Sequence, residues 1–161
     1  MQVAEKEEFY QIVTSCDATN FWYGPHLNEP LPDKKAFFED FEEYYFTDFK
    51  NSKGRSFHIV EGDSNIGQIN YNEIKEDVVD IDIIIYNKDN WSKGYGSSSV
   101  KLISAYLEEK FNVASIFIDV HCSTERAVKA YEKAGFTKSE KIVEKGESFF
   151  RLKRINKYRR T

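Results

Sequence analysis

Three segments in the second half of the chain carry residue types that could do chemistry together. Asp82 stands inside the apolar run at residues 81–85, the turn Lys93-Gly-Tyr-Gly-Ser97 follows it, and Tyr131 lies in a segment that ends at Gly135. A carboxylate among apolar neighbours must face a cleft, pair with a cation or have a raised pKa. A glycine turn that opens a helix offers free N–H groups to a phosphate. These features predict a pocket for a phosphorylated cofactor.

Apolar periodicity predicts the elements that must hold these residues in place. Helices are expected over residues 3–15, 34–46 (with Asp33 as N-cap), 96–111 and 124–133, and strands over 55–61, 66–74, 78–86, 114–120, 136–144 and 148–155. The early strands follow one another as hairpins, whereas helices separate the later ones. This order predicts an α+β (mixed α/β) fold with a central mixed, mostly antiparallel sheet and helices on both faces. No linker or repeat divides the chain, so a single domain over residues 1–161 is expected.

Composition excludes several classes of protein. The 161 residues are 40% hydrophobic and 16% aromatic, which argues against disorder. A net charge of -4 and a pI near 5.5 disfavour nucleic-acid binding and favour cationic partners. Three scattered histidines give no metal-ligand spacing, and two cysteines indicate free thiols in a reducing compartment. With no signal peptide or apolar run of membrane length, the sequence predicts a cytoplasmic protein without a membrane partner.

The glycine turn resembles the cofactor-binding motif of one enzyme superfamily. It lacks the third glycine of the dinucleotide fingerprint and the Gly-Lys-Ser/Thr ending of a P-loop. It is similar instead to the Arg/Gln-x-x-Gly-x-Gly/Ala motif of the GCN5-related N-acetyltransferase (GNAT) superfamily, with Trp91 at the Arg/Gln position. The resemblance continues through the strand at residues 116–119 and the segment 126–136. It implies a GNAT fold and an acetyltransferase that uses acetyl-CoA as co-substrate and needs no metal.

The resemblance also implies roles for individual residues. Backbone groups of the strand at residues 83–85 should meet the pantetheine arm, the glycine turn should hold the pyrophosphate, and Tyr131 should protonate the departing thiolate. Thr124 stands where the family often has an asparagine that touches the cofactor. The residues implied in cofactor binding are Ile83, Ile84, Ile85, Lys93, Gly94, Tyr95, Gly96, Ser97, Thr124 and Lys133.

Within the superfamily, the sequence resembles aminoglycoside 6'-N-acetyltransferases in particular. Those enzymes carry Ile-Asp ahead of the apolar end of the same strand, and a second carboxylate opens an Asp-Pro-x-x-x-Asn segment. The matching carboxylates here are Asp82 and Asp119, with Val120 in place of the proline and Thr124 in place of the asparagine. Their early Trp-Trp-Gly stretch is similar to Phe21-Trp-Tyr-Gly24. These matches imply a small amine acceptor, with Asp82 as its base or anchor.

Each predicted site residue also has a purely structural interpretation. Asp82 could be an outward carboxylate, since Asp80 shares its face at the period of a strand. Tyr131 could pack in a core, and Asp119 could bind substrate or cap the next helix. The other predicted acceptor-binding residues are Trp22, Tyr23, Asp40 and Glu43. For this group the alternative is aromatic side chains in the core and acidic side chains in solvent.

The sequence therefore predicts an N-acetyltransferase that moves an acetyl group directly to a primary amine of a small cationic acceptor, of the aminoglycoside or polyamine kind. Asp82 would take or relay the proton of the amine, and Tyr131 would protonate coenzyme A. The alternatives are a protein N-terminal or lysine acetyltransferase and a non-catalytic acyl-CoA-binding module.

The first strand of the superfamily is expected to be short or absent, because residues 1–3 cannot form a normal strand. Either the strand is vestigial, another chain covers that edge of the sheet, or the native start lies upstream. An exposed sheet edge favours association, so a homodimer is among the predictions.

Overall fold

The computed structural model of the chain describes residues 1–22, 30–47 and 51–160, apart from the side chains of Phe21 and Trp22. Its strands are β1 (Arg55–Glu61), β2 (Ser64–Tyr71), β3 (Val78–Ile85), β4 (Ser115–His121), β5 (Thr137–Glu144) and β6 (Glu147–Ile155), and its helices are α1 (Lys6–Val13), α2 (Thr19–Trp22), α3 (Lys34–Asp40), α4 (Tyr95–Phe111) and α5 (Glu125–Lys133). The described strands form one open sheet in the order β1-β2-β3-β4-β6-β5. β3 and β4 are parallel and the other paired strands are antiparallel, which confirms the predicted mixed, mostly antiparallel sheet.

The alternation of residues in β3 separates the two faces of the sheet. Val79 and Ile81 are each 1% exposed and belong to the core that α4 covers. Because successive side chains of a strand point to opposite faces, Asp80, Asp82 and Ile84 lie on the other face. The carboxylate at position 82 is therefore on the face away from α4.

Helices cover both faces of the sheet, as the sequence predicts. On one face, α4 buries Val100, Ile103 and Leu107 at helical spacing, and α5 adds Val128 and Tyr131; these side chains belong to the first core. On the other face, α1, α3 and a 3-10 turn enclose a second core that is largely aromatic. Its aromatic members include Phe9, Phe37, Tyr45, Phe46 and Tyr86. None of the helices in the described residues is both long enough and apolar enough to cross a membrane.

The helix predicted over residues 34–46 is wrong in its second half. α3 stops before Phe41, which has a non-helical backbone, and a separate 3-10 turn spans Glu43–Phe46. A continuous helix would point its aromatic rings in several directions. The break lets Phe41 pack on Phe9, with ring centroids 5.4 Å apart, and turns the Tyr45 hydroxyl towards the sheet. Burial of the rings therefore overrides the helical propensity of the segment.

Local capping and turn chemistry explains several element ends. The Asp33 side chain accepts a hydrogen bond from the Ala36 N–H at 2.9 Å, which confirms its prediction as the N-cap of α3. β2 begins at Ser64, earlier than predicted, because Gly62 with φ of 58° and its neighbour complete the turn alone.

The described part of the chain has no strand before β1. The N-terminal residues help to close the second core instead. Met1 is 8% exposed, and its ammonium group donates to the Ser56 carbonyl at 3.2 Å. β1 therefore forms one edge of the described sheet.

β3 and β4 separate soon after they begin. Their parallel register runs from Val78 opposite Ser115 to Asp80 opposite Phe117 and ends there. β2 stays paired with β3, and β6 with β4, beyond this point. The sheet therefore opens into a wedge whose sides are the C-terminal halves of β3 and β4.

Truncation of the first core should destabilise the fold far more than truncation of the exposed side of the same helix. Leu107→Ala removes a side chain with no exposed surface, so the free energy of unfolding should fall by about 2–5 kcal/mol. Leu102 is 72% exposed on α4, and Leu102→Ala should change this energy by less than about 0.5 kcal/mol. Urea unfolding followed by circular dichroism measures both losses, and equal losses would contradict the assigned core.

Candidate active site

A cleft of about 370 Å³ fills the wedge between β3 and β4. Its walls come from the C-terminal halves of both strands, from the glycine turn before α4 and from α5. The sequence-predicted residues that line it are Asp82, Ile83, Ile84, Ile85, Gly94, Gly96, Ser97, Asp119, Thr124 and Tyr131. Segments that lie far apart in the sequence therefore meet at one site.

The edge of β3 that faces the wedge carries backbone groups without a partner strand. In an antiparallel pair, alternate residues direct their backbone groups towards the partner. The Tyr86 N–H donates to the Ile66 carbonyl at 3.0 Å, so the even-numbered residues of this stretch bond to β2. Ile83 and Ile85 therefore direct their N–H and C=O groups towards the cleft, where a ligand can bond to both groups of Ile83 and to the N–H of Ile85.

The turn before α4 presents N–H groups to the cleft with no side chain in front of them. Gly94 has φ of 91°, a conformation that favours glycine. The first backbone bond of the helix joins the Ser98 N–H to the Gly94 carbonyl at 2.9 Å. The N–H groups at Tyr95, Gly96 and Ser97 therefore have no partner within the helix. A Cβ at Gly96 would meet no described atom within 4 Å, so protein packing alone does not require glycine there.

Three side chains predicted to bind the cofactor lie outside the cleft lining. Lys93 is exposed beside the lining residue Gly94. The ring of Tyr95 packs against the first core, and burial raises the pKa of its hydroxyl. Lys133 is exposed two positions after Tyr131, and the helical period turns it to the opposite side of α5. At Tyr95, the backbone N–H rather than the side chain is therefore available to a ligand.

A stacked pair without an assigned role in the sequence-based prediction forms one wall of the cleft. The indole Nε1 of Trp91 donates to the Ile85 carbonyl at 2.9 Å, which ties the glycine turn to β3. The Arg126 guanidinium lies 3.6 Å from the centroid of the indole, as in a cation–π contact. Burial lowers the pKa of Arg126. Both residues line the cleft, so Arg126 adds a positive charge to its wall.

Asp82 has amide partners rather than a cation. Asn72 Nδ2 donates to its Oδ2 at 3.1 Å, and the described residues provide no cation paired with it. Solvent reaches Asp82 through the cleft, but the protein around it desolvates the carboxyl and raises its pKa. The charge of Asp80 also raises this pKa, whereas hydrogen bonds from Asn72 and Asn70 lower it. The carboxylate is therefore available to an amine and holds a proton more readily than an exposed aspartate does.

A chain of hydrogen bonds through β2 fixes the amide that bonds to Asp82. Gln68 Nε2 donates to Asn70 Oδ1 at 2.9 Å, and Asn70 Nδ2 donates to Asn72 Oδ1 at 3.0 Å. The Tyr45 hydroxyl donates to the same Asn72 oxygen at 3.0 Å. With its oxygen accepting two bonds, Asn72 turns its nitrogen towards Asp82. Gln68 and Asn70 are 0% and 2% exposed, so this end of the network is buried, whereas Asn72 is half-buried.

Two other carboxylates on this face are already bonded to a cation of the chain. Nη1 of Arg151 lies 2.9 Å from Asp119 Oδ2, and its Nη2 is bonded to Asp80. The guanidinium also lies 4.6 Å from the centre of the Phe117 ring. Burial raises the pKa of Asp119, and the charge of Arg151 opposes this shift. Asp80 and Asp82 are equivalent by strand period, yet only Asp80 is paired with Arg151.

Tyr131 brings a protonated hydroxyl to the same cleft. The residue is 8% exposed, and its hydroxyl bonds to no group in the described part of the chain. Burial raises the pKa of this hydroxyl, the charge of Asp82 raises it further, and Arg126 opposes the shift. Thr124 lines the same wall at the N-cap of α5 without a side-chain capping bond. The cleft thus combines a proton acceptor with a proton donor.

Two of the remaining residues predicted to bind the acceptor are not part of the described lining of this cleft. Asp40 and Glu43 are absent from its described lining, and Asp40 is exposed at the end of α3. Burial lowers the pKa of Lys6, and the charge of Glu43 opposes that shift. Tyr23 and the side chain of Trp22 lie outside the described residues. No group of three His, Cys, Asp or Glu side chains in the described ranges could hold a metal ion.

Sequence reasoning missed Asn72 and Arg151, although each bonds to a carboxylate of the cleft face. Gln68, Asn70 and Asn72 recur at the period of a strand, and this signal could have revealed the amide network. Arg151 gives no comparable signal, because 32 and 71 positions separate it from its two carboxylate partners.

Comparison with known proteins agrees with this geometry. The chain is similar to the AAC(6')-Ib aminoglycoside acetyltransferase in complex with ribostamycin and coenzyme A, with a TM-score of 0.77 at 19% identity over 96% of this chain and 90% of that one. It is also similar to spermidine N-acetyltransferase from Vibrio cholerae in complex with CoA and spermine, with a TM-score of 0.76 at 18% identity over 96% and 92% of the two chains. At this identity the likeness shows the fold. The family model of the acetyltransferase (GNAT) domain matches residues 1–137, and the chain belongs to the GNAT acetyltransferase family.

Proposed function

We propose that this protein is an acetyl-CoA-dependent N-acetyltransferase that moves an acetyl group directly to a primary amine of a small cationic acceptor. The observation that carries the proposal is that Asp82 and Tyr131 line one cleft, beside the glycine turn of a GNAT domain. The structural neighbours bind coenzyme A with an aminoglycoside or with spermine, which supports an amine acceptor.

The donor set of the cleft fits acetyl-CoA. The N–H groups at the start of α4, around Gly96, suit the pyrophosphate, and the space in front of Gly96 lets it approach. The backbone groups of Ile83 and the N–H of Ile85 suit the amides of the pantetheine arm. Thr124 and Arg126 add a hydroxyl and a positive charge to the same cleft. We therefore assign the side of the cleft next to the glycine turn to the co-substrate.

The reaction needs one proton acceptor and one proton donor. The neutral amine nitrogen attacks the thioester carbonyl carbon and forms the C–N bond, and the C–S bond then breaks. Asp82 takes the proton that the amine loses, directly or through a water molecule. Tyr131 donates its proton to the leaving thiolate and regains one from Asp82 or from solvent. The products are the acetylated amine and coenzyme A as a free thiol.

Electrostatic coupling between the two groups favours this order of proton transfers. The negative charge of Asp82 contributes to the raised pKa of the Tyr131 hydroxyl, after burial. When Asp82 accepts the proton of the amine, this charge disappears and the pKa of Tyr131 falls. Tyr131 is therefore the stronger acid in the state in which the thiolate forms.

Other parts of the sequence-based prediction stay predictions: a single domain over residues 1–161, a cytoplasmic location and a homodimer. The family model ends where β5 begins, but β6 pairs with β4 along its length. This pairing supports including the C-terminal hairpin in the same domain.

Thiol release from acetyl-CoA tests the proposed function. The protein is mixed with acetyl-CoA and a panel of aminoglycosides and polyamines, and free thiol and acetylated amine are measured. Asp82→Asn should lower kcat/KM by about 100-fold or more, because an amide cannot take the proton. The free energy of unfolding should not fall, because the substitution removes a desolvated charge.

Asp63→Asn is the matched control, since Asp63 is exposed in the turn between β1 and β2 and should not affect the activity. Absence of thiol release with every amine would overturn the proposal. Turnover of peptides in preference to small amines would indicate a protein acetyltransferase. Binding of acetyl-CoA without any turnover would indicate a non-catalytic module.

Replacement of Gly96 should weaken co-substrate binding without destabilising the fold. Gly96 lies in the first turn of α4 and an added Cβ meets no described atom, so Gly96→Ala should keep the free energy of unfolding or raise it by up to about 1 kcal/mol. The added methyl group occupies the space assigned to the pyrophosphate, so the Kd for coenzyme A should rise by about tenfold or more. Calorimetric titration and thermal unfolding measure the two effects.

Ser98→Ala serves as the control for Gly96→Ala, because Ser98 is exposed in the same turn and does not line the cleft. Its affinity for coenzyme A should match that of the wild-type protein. An unchanged affinity in Gly96→Ala would contradict the assigned phosphate site.

The pH dependence of the reaction should change when the hydrogen bond from Asn72 to Asp82 is removed. This bond stabilises the charged form of Asp82 and lowers its pKa. Asn72→Leu removes the bond, so the pKa of Asp82 rises further above its ordinary value. The acidic limb of the kcat/KM profile, where Asp82 is protonated and cannot act as base, should therefore move to higher pH.

Asn65→Leu is the control for this shift, since Asn65 lies at the other end of β2 and bonds to His58. Its acidic limb should coincide with that of the wild-type protein. A limb that stays in place or moves to lower pH in Asn72→Leu would show that Asp82 is not the base.

A further inference from the structure

Three carboxylates on the face of the sheet around the cleft differ in their contact with the Arg151 guanidinium. Asp80 and Asp82 share this face of β3, and Asp119 lies on β4. Arg151 is bonded to Asp80 and Asp119, whereas the bonds to Asp82 come from amides. The three carboxylates therefore offer an incoming amine different surroundings. Only Asp82 lacks a positive partner among the described residues.

The position of Arg151 is fixed from several sides. It lies directly opposite Asp119 in the register of β4 and β6, and its side chain reaches across β4 to Asp80. The Phe117 ring lies against its guanidinium, and its side chain is 24% exposed. Its Nε is also 3.9 Å from Glu140, whose side chain is 60% exposed and screened by solvent. The planar fork of arginine suits a bridge between two carboxylates.

We propose that Arg151 restricts the acceptor to a single ammonium group within the cleft. This inference rests on the proposed function and names its substrate class. The reacting amine meets Asp82, while Arg151 occupies the place between Asp80 and Asp119 where a second ammonium group would bind. The preferred acceptor is a mono-amine whose other contacts with the cleft are hydroxyl or apolar groups.

Electrostatic repulsion supports this assignment. A second ammonium group near Asp119 must either displace the guanidinium from two carboxylates or lie beside a like charge. A hydroxyl group at the same place meets no such repulsion. Asp119, which the sequence predicts as an acceptor ligand, is therefore assigned here to holding Arg151 instead.

Pairs of acceptors that differ in one charge test the proposal. Each diamine of the series putrescine, cadaverine and hexamethylenediamine is compared with the amino alcohol in which a hydroxyl replaces one amine. The measured quantity is the ratio of kcat/KM for the diamine to kcat/KM for the amino alcohol, from thiol release. The wild-type protein should use the amino alcohols at least as well as the diamines.

Arg151→Met should reverse this preference, because it exposes Asp80 and Asp119 to the second ammonium group. The ratio should rise by about tenfold in favour of the diamines. Lys153→Met is the control, since Lys153 follows on the same face of β6, also lies over Phe117 and makes no ion pair in the described ranges. Its ratio should match that of the wild-type protein.

Asp119→Asn decides the question if Arg151→Met does not fold. If Asp119 holds Arg151, its substitution should change the ratio by less than about twofold, whereas a direct contact with the second ammonium group predicts a clear loss. Two results together would overturn this proposal and leave the proposed function intact. The wild-type protein would prefer diamines, and the diamine-to-amino-alcohol ratio would either not rise in Arg151→Met or fall clearly in Asp119→Asn. Absence of turnover with every amine would overturn both.

Discussion

The parting of β3 and β4 after Asp80 and Phe117 is the constraint on which the site depends. Backbone N–H and C=O groups that lose a strand partner must bond to something else, and along β3 they face an open wedge. The starts of α4 and α5 lie at the same opening and add further unpaired groups. The fold therefore concentrates hydrogen-bonding capacity where its sheet is incomplete, and a long, polar ligand can use it.

Arg151 connects this constraint to the charge of the site. It lies on β6 and is bonded to one carboxylate on each side of the wedge, at Asp80 on β3 and at Asp119 on β4. The same side chain thus ties the two strands together where they part and neutralises the carboxylates nearest to that point. What remains for a ligand is Asp82, which the buried amide chain of β2 orients. A bond between two of these amides contributes only about 0.5–1.5 kcal/mol, so its main effect is orientation.

The sequence predicts those parts of the fold and the site that depend on local patterns. The stripe of α4, the alternation of β3 and the spacing of Gly94 and Gly96 are each visible within a short window, and the structure has all of them. The break at Phe41 is not predictable in this way, because it depends on packing against Phe9 from another segment.

The roles of the aspartates show more clearly that contacts between distant segments are not visible in the sequence. The period of a strand places Asp80 and Asp82 on one face and treats them alike. They differ because Arg151, which follows Asp80 by 71 positions, reaches one and not the other. Asp40 and Glu43 were assigned to the acceptor through their charge, but the path of the chain after α3 keeps them out of the cleft lining. Sequence patterns predict which residues share a face of the sheet. Ion pairs between distant strands decide which of these residues stay available to a ligand.

The protonation equilibrium of Asp82 indicates that folding stability is not the reason for its position. Burial raises the pKa of its carboxyl in the folded state above the value in the unfolded chain. The folded state then binds the proton more tightly, so the contribution of Asp82 to stability falls as the pH rises from the unfolded pKa through the folded pKa. A carboxylate whose ion pair outweighed its desolvation would have the opposite shift and the opposite slope. At neutral pH the first core and the buried amide chain must offset the cost of the desolvated charge. A group that costs stability, has no cation partner among the described residues and faces a cleft beside a protonated tyrosine is best explained by the chemistry of a bound amine.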